Sequence, residues 1–271
     1  MTKVAEGNRL FYESAGVAER FRHETDLCPA EELILELVKD EIKDKPLLEI
    51  GVGAGRVTPY LTALTKDYVG IDCSRSMLDI ARQKFPANEF LECAAEKLTM
   101  FEDQRFAAVV FWGNGIDEVE HEERIFIFKE INRVLRKGSV FLLSSHNFDW
   151  NGLINSAAFN ELPLRRGVFR HFNNSLPRRL WIHFVCKVIY FYARFTQRGY
   201  AIFPHYEENI TTTPILVYYI SRDAQIKQLM NAGFEKVQAF TSGGVALNHR
   251  EARMDYKSEL DFELYYLAHR L

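Results

Sequence analysis

A short apolar run, Leu47-Leu48-Glu49-Ile50, breaks into three glycines at alternate positions, Gly51, Gly53 and Gly55. A second run, Val69-Gly70-Ile71, closes on Asp72, 21 residues after the first glycine. This pattern constrains the chain more than any other. The first run predicts a buried parallel strand, and the glycines let its backbone turn tightly and approach a ligand closely. An acid at the end of the second strand can accept hydrogen bonds from both hydroxyls of a ribose. The unit is therefore expected to be βαβ and to bind a nucleoside.

Two details choose among nucleosides. A dinucleotide fingerprint, G-x-G-x-x-G, needs its third glycine where the helix opens onto a pyrophosphate. That position is Arg56, and the third glycine falls one residue early, at Gly55. Glu49, two residues before Gly51, would repel a pyrophosphate and attract an α-ammonium or a sulfonium. With Gly51, Gly53 and Gly55 it resembles the first motif, E/D-x-G-x-G-x-G, of the class I S-adenosylmethionine-dependent methyltransferases. The block from Gly70 to Arg82, Gly-Ile-Asp-Cys-Ser-Arg-Ser-Met-Leu-Asp-Ile-Ala-Arg, is similar to that family's G-x-D-x-S-x-x-M-L-x-x-A-R.

The pattern along the chain predicts a doubly wound, mostly parallel, seven-stranded sheet with helices on both faces. A helical N-terminal segment spans roughly 8–42, with Leu33, Ile34, Leu37, Val38 and Ile42 at helical spacing. Strands are expected at Pro46–Ile50, Tyr68–Asp72, Glu89–Cys93, Ala107–Trp112 and Ser139–Ser144. Thr58 and Pro59 are expected to cap and open one helix. Asp117 and Glu120 read as the capping box of another, which Gly138 would stop. A helix over Ser221–Ala232 and strands at Phe234–Phe240 and near Phe262–Ala268 close the chain. The last two strands should pair antiparallel, as the resemblance also implies. The expected divisions are an N-terminal helical cap (1–44), a methyltransferase domain (45–149 and 213–271) and a lid inserted after strand five (150–212).

The inserted stretch differs in chemistry from the rest. It carries eight Arg or Lys and three acids, a local charge of +5, so the remainder carries −8 of the chain's net −3. It is dense in aromatics and too long for a structureless loop. A helical, acceptor-selecting lid is expected. Its most apolar part, Leu180–Tyr192, contains His183 and Lys187 and is too short to span a bilayer. Packing on the core is expected there in preference to docking on a membrane surface. The overall negative charge argues against general nucleic-acid binding. Met1–Gly7 has no apolar signal-peptide region. The four cysteines lack metal-ligand spacing, so no metal is expected, and the thiols read as reduced and cytoplasmic.

The resemblance implies S-adenosylmethionine as cofactor and assigns roles by position. Gly51, Gly53 and Gly55 would lie against the ligand, Glu49 would hold its ammonium, Asp72 its ribose, and Met77 its adenine. Backbone contacts at Ala95 and Glu96 would complete the adenine site, although the acid the family commonly has before the small residue is absent from Ala94-Ala95-Glu96. Strand four also opens Phe106-Ala107, where the family commonly has Phe-Asp. Tyr12 and Arg20 fall in the segment that often covers the cofactor, and Asn114 in the loop that opens onto the methyl donor. Methyl transfer from a sulfonium needs alignment and exclusion of water, and a base only if the nucleophile must lose a proton. His146, just past strand five, is the candidate base. Trp112, Arg170, Phe172, His205 and Tyr206 are candidates for contact with a small-molecule acceptor. The expected activity is methyl transfer to a small-molecule O, N or C nucleophile. The alternatives are methylation of a peptide or protein side chain, an NAD-dependent oxidoreductase, and a non-catalytic S-adenosylmethionine-binding module.

Overall fold

The computed structural model describes residues 3–150, 186–193, 195–196, 199–205, 215–247 and 262–271. Three helices lead the chain: α1 (Lys3–Tyr12), α2 (Ala15–Phe21) and α3 (Pro29–Ile42). Then come β1 (Leu47–Ile50), α4 (Thr58–Leu64), β2 (Tyr68–Asp72), α5 (Arg75–Lys84), β3 (Glu89–Glu92), β4 (Phe106–Phe111), α6 (His121–Val134) and β5 (Leu135–His146). Short 3₁₀ turns at Ala95–Met100 and Gly115–Glu118 flank β4. The later elements are β6 (Tyr200–His205), β7 (Ile215–Ile220), α7 (Arg222–Asn231), β8 (Phe234–Thr241) and β9 (Glu263–Arg270).

Seven strands form one sheet in the order β3-β2-β1-β4-β5-β9-β8. All neighbours from β3 to β5 pair parallel, and β9 pairs antiparallel with both β5 and β8. The expected fold class and antiparallel ending are both present. Strand alternation divides the core between the two faces. Leu48, Ile50, Val109, Phe111, Phe141 and Leu143 face α6 and α7. Leu47, Ala108, Val110, Val140 and Leu142 face the side of α3, α4 and α5. The stripe Ile34, Leu35, Val38 and Ile42 buries α3, and Ile127, Phe128, Ile131 and Val134 bury α6. The strand order reverses between β1 and β4, so the ligand crevice of such a sheet belongs at their carboxyl ends.

Several local expectations fail for identifiable reasons. Helix α6 begins at His121 after Glu120, so Asp117 does not cap it. Asp117 lies fully buried in the preceding 3₁₀ turn, where it accepts from other side chains. Helix α6 also ends at Val134, before Gly138. Gly138 adopts φ +75° inside β5, where the pairing with β4 jumps from Leu135 to Val140. A left-handed residue suits such a bulge. Thr58 is the first residue of α4 and not its cap, and its hydroxyl is used on Glu49.

Of the expected lid (150–212), residues 151–185, 194, 197–198 and 206–212 lie outside the described residues. Residues 186–193 are helical. Residues 200–205, by contrast, form a strand that pairs antiparallel with Ile215–Ile220, a hairpin that crosses the expected boundary at 212. Phe148, Cys186, Tyr190, Phe203, Val217 and Tyr219 make a separate small core under it. Asn8 of α1 grips this hairpin. Its amide donates to the Leu216 carbonyl (2.8 Å) and to that of Glu118 (3.1 Å), and accepts from the Leu216 N–H (3.0 Å).

Candidate active site

The glycine turn is built by hydrogen bonds to the second strand. Gly51 N–H and Val52 N–H both donate to the Ile71 carbonyl (2.8 and 3.1 Å). All three glycines have positive φ, between +55° and +82°. Their neighbourhoods differ. A Cβ on Gly55 would stand 2.8 Å from the Phe85 ring, so this glycine serves close packing of the turn on α5. A Cβ on Gly53 would meet nothing within 4 Å, and Gly53 lines a cavity. The turn therefore leaves a backbone-lined cradle.

Asp72 ties this cradle to α5. One carboxylate oxygen accepts from Gly53 N–H (2.8 Å) and the other from Ser74 N–H (2.8 Å). Each oxygen keeps capacity for a further donor. Burial raises the Asp72 pKa, and the backbone N–H bonds of Ser74 and Gly53 oppose that rise. Ser74 caps α5 through its side chain, which accepts from Met77 N–H (3.3 Å).

The cavity measures about 1270 Å³, including the space open at its mouth. It lies at the carboxyl ends of β1, β2, β3 and β4, where the switch in strand order places it. Tyr12, Glu49, Gly51, Gly53, Asp72, Met77, Ala95, Glu96 and Trp112 line it. Gly55, Arg20, Asn114 and His146 are not among its lining. Arg20 is exposed on α2. Asn114 sits between two lining glycines, Gly113 and Gly115, but its side chain donates to Glu263 of β9. His205 closes β6 opposite Ile215. Arg170, Phe172 and Tyr206 lie outside the described residues.

Charge on the cavity wall is uneven. Glu24, Glu49, Asp72, Glu96 and Glu118 line it against Arg9 and Arg56. Both guanidiniums are engaged. Arg56 makes a forked pair with the fully buried Glu31 (2.7 and 2.6 Å), which fastens α3 to the turn, and Arg9 pairs with Glu6 and Glu13. Burial pushes the Glu49 carboxyl up to about 7, against hydrogen bonds from Tyr68 and Thr58. Burial likewise raises the Cys73 and Cys93 thiols, which also line the cavity. Trp112 is buried, and its indole N–H has no acceptor among the described residues. Open space at Gly53, a wall rich in carboxylates and an unspent indole donor fit S-adenosylmethionine, which carries a sulfonium, an ammonium and one carboxylate. They do not fit a pyrophosphate.

Beside the cavity, sequence reasoning missed a buried polar cluster. Asp117 and Arg124 are both fully buried and pair at 2.5 Å. Arg124 also donates to the Ile116 carbonyl (2.9 Å), to Ser145 Oγ (3.0 Å) and to Gln225 and Gln228 of α7. The other oxygen of Asp117 receives the His146 backbone N–H (2.6 Å) and faces His146 Nδ1 (2.7 Å). The signal for Arg124 was faint: a cation on the buried side of an otherwise apolar helical stripe.

Comparison with known proteins agrees with this geometry. Residues 47–138 match the family described as Methyltransferase domain. A demethylmenaquinone methyltransferase from Chlorobaculum tepidum is 36% identical over 97 residues, which cover 35% of this chain and 38% of that enzyme. The chain thus aligns with well under half the length of that curated relative. Among solved structures, a SAM-dependent methyltransferase from Methanosarcina mazei superposes with TM-score 0.56 at 17% identity, covering 87% of this chain and 97% of the other. The glycopeptide N-methyltransferase MtfA, solved with S-adenosylhomocysteine, gives TM-score 0.53 at 16% identity, covering 92% and 93%. At these identities the solved structures speak to the fold, and the fold is that of the class I methyltransferases. Over residues 47–138, about a third of its length, the chain is similar to that methyltransferase domain.

Among the described residues, no helix is long and apolar enough to cross a membrane. No group of three or more His, Cys, Asp or Glu among them is placed to hold a metal ion.

Proposed function

We propose that this chain transfers the methyl group of S-adenosylmethionine to a nucleophilic atom of a small molecule. One observation carries the proposal: the glycine turn, Asp72 and Glu49 meet on a single carboxylate-lined cavity at the switch point of the sheet. When bound there, the cofactor supplies a methyl carbon already activated by sulfonium charge. The chain's own residues bind, orient and exclude water. Asp72 holds the ribose diol with the lone pairs its backbone bonds leave. Glu49 faces the ammonium, Met77 packs on the adenine, and backbone at Ala95 and Glu96 meets the adenine edge. Trp112 N–H donates to the carboxylate. Tyr12, fixed by its hydroxyl on Glu118 (2.7 Å), closes the cavity from α1, and Arg20 and Asn114 act at its margins. A small acceptor is consistent with the curated relative, whose name gives demethylmenaquinone as its substrate. Selection of that acceptor is assigned to the β6–β7 hairpin, which Asn8 ties to α1 beside the lining Glu118.

Calorimetry with S-adenosylhomocysteine and with NAD tests the donor side. Binding of the sulfur nucleoside and not of NAD is expected, with a dependence on pH set by Glu49. In the free protein this carboxyl is about half protonated near pH 7. A ligand ammonium favours its ionised form, so affinity should rise as pH increases from about 6 to 8. Up to roughly a tenfold gain per pH unit applies below the free-protein pKa, with a levelling above it. Glu49→Gln should flatten the rise. NAD binding with no binding of S-adenosylhomocysteine would defeat the proposal. A flat profile in the wild type would remove Glu49 from the ammonium.

A further inference from the structure

The helical residues 186–193 read Cys-Lys-Val-Ile-Tyr-Phe-Tyr-Ala, apolar or aromatic all round except at Lys187. One stripe of this helix is accounted for. Cys186, Tyr190 and Ala193 pack with Phe148, Phe203, Val217 and Tyr219 in the small core under the hairpin. A second stripe lies on the other side. Val188, Phe191, Tyr192 and Phe195 follow the spacing i, i+3, i+4, i+7, so they share one face. All four are exposed, Phe191 at 60% and Phe195 at 88%, and Ile189 beside them is exposed as well. The packing on the core expected from the sequence therefore uses half of the helix. A helix apolar on every side is ordinarily buried on every side, and an apolar face left open marks an interaction surface.

Charge chooses the occupant of that face. From 186 to 205 the sequence carries Lys187, Arg194 and Arg198 and no acid. A second copy of the chain laid stripe to stripe would bring these cations close to their own copies, and like charges across an interface oppose association. Residues 151–185 carry five arginines and one acid, so as a cover they too would bring like charge. A bilayer with anionic headgroups meets both requirements. The rings enter the boundary between headgroups and acyl chains, while lysine and arginine remain among the headgroups. No helix among the described residues is long and apolar enough to cross a membrane, so the contact runs along its surface.

We propose that the stripe Val188, Phe191, Tyr192 and Phe195 docks this chain on an anionic lipid surface. The opposite stripe shares its core with Phe203 of β6 and Val217 of β7, so the docked helix holds the hairpin close to the lipid. No residue of the stripe lines the donor cavity. The docking surface therefore stands or falls independently of the methyltransferase reading.

Co-sedimentation of the full chain with vesicles, of phosphatidylcholine alone or mixed with phosphatidylglycerol, tests the proposal. Binding to the mixed vesicles is expected, weaker by at least about fivefold on phosphatidylcholine alone and falling as salt is raised. Phe191→Ser combined with Phe195→Ser should weaken binding to the mixed vesicles at least about tenfold, because two rings no longer leave water for lipid. Thermal unfolding of this variant without lipid should match the wild type, since both rings are exposed in the free chain. Phe195→Glu alone, at the more exposed of the two rings, is a second variant and should weaken binding by a similar factor. A wild type that stays in solution with the mixed vesicles, equal binding to both kinds of vesicle, or variants that bind as tightly as the wild type would overturn the proposal. So would a concentration-dependent dimer in ultracentrifugation that the double variant dissociates, because the stripe would then belong to a second copy. A double variant that unfolds well below the wild type would overturn it too, by assigning the stripe to another segment of the same chain.

Discussion

Asp72→Ala should weaken binding of S-adenosylhomocysteine by at least about a hundredfold while the chain stays folded. Two hydrogen bonds from the ribose to a charged acceptor are at stake, each worth roughly 1.5–3 kcal/mol. Water recovers part of that. A second loss adds to the first, because the carboxylate also holds Gly53 N–H and Ser74 N–H, and so sets the shape of the cradle the ligand enters. The fold should survive, since burial raises the Asp72 pKa and the free protein gains little from keeping a charge there. Calorimetry gives the affinity and circular dichroism the fold. An unchanged dissociation constant in a folded variant would remove Asp72 from the site.

Arg124→Met should produce the largest loss of stability of any single change in the described core. The guanidinium is fully buried and bonds to Asp117, Ile116, Ser145, Gln225 and Gln228, and its plane lies over the rings of Tyr218 and Phe128. Methionine replaces the apolar stem but leaves the Asp117 carboxylate buried without its counter-charge. Breaking a buried pair in this way costs about 3–5 kcal/mol. For a chain of this size that corresponds to a fall in Tm on the order of 10 °C. Removing the anion as well, in Arg124→Met with Asp117→Leu, should restore part of the stability, because the uncompensated charge is then gone. Thermal unfolding followed by calorimetry checks both. A single variant within about 1 kcal/mol of wild type would show that water or another group neutralises Asp117, contrary to the geometry.

The sheet and donor cavity were legible because their signals are local. The turn needs glycine at three spaced positions, Asp72 must end the next apolar run, and the fully buried strand β4 reads as Phe-Ala-Ala-Val-Val-Phe. Each is a backbone or burial requirement imposed on a few consecutive residues. The polar cluster was illegible for the opposite reason. Asp117, Arg124, His146 and Gln225 come from a 3₁₀ turn, a helix, a strand end and another helix, and only the sheet order brings them together. Read alone, Asp117 followed by Glu120 looks like a helix cap. Tertiary donors outbid that local use of its carboxylate. The same holds for Asn8, an unremarkable helix residue in sequence that joins α1 to a hairpin more than 200 residues away. The hairpin itself was hidden because the aromatic residues of β6 suit a strand and an amphipathic helix alike. Gly55 was legible as a glycine, but its close approach to the Phe85 ring was not.

The most direct test of the account is transfer itself. The purified chain, given S-adenosylmethionine labelled in its methyl group and the small-molecule fraction of a cell extract, should move label into one or a few small products. S-adenosylhomocysteine should accumulate in equal amount, and Asp72→Ala should suppress both. Accumulation of neither, by a protein that demonstrably binds S-adenosylhomocysteine, would contradict methyl transfer to a small molecule and leave a binding module. Label recovered only in protein would contradict the acceptor class.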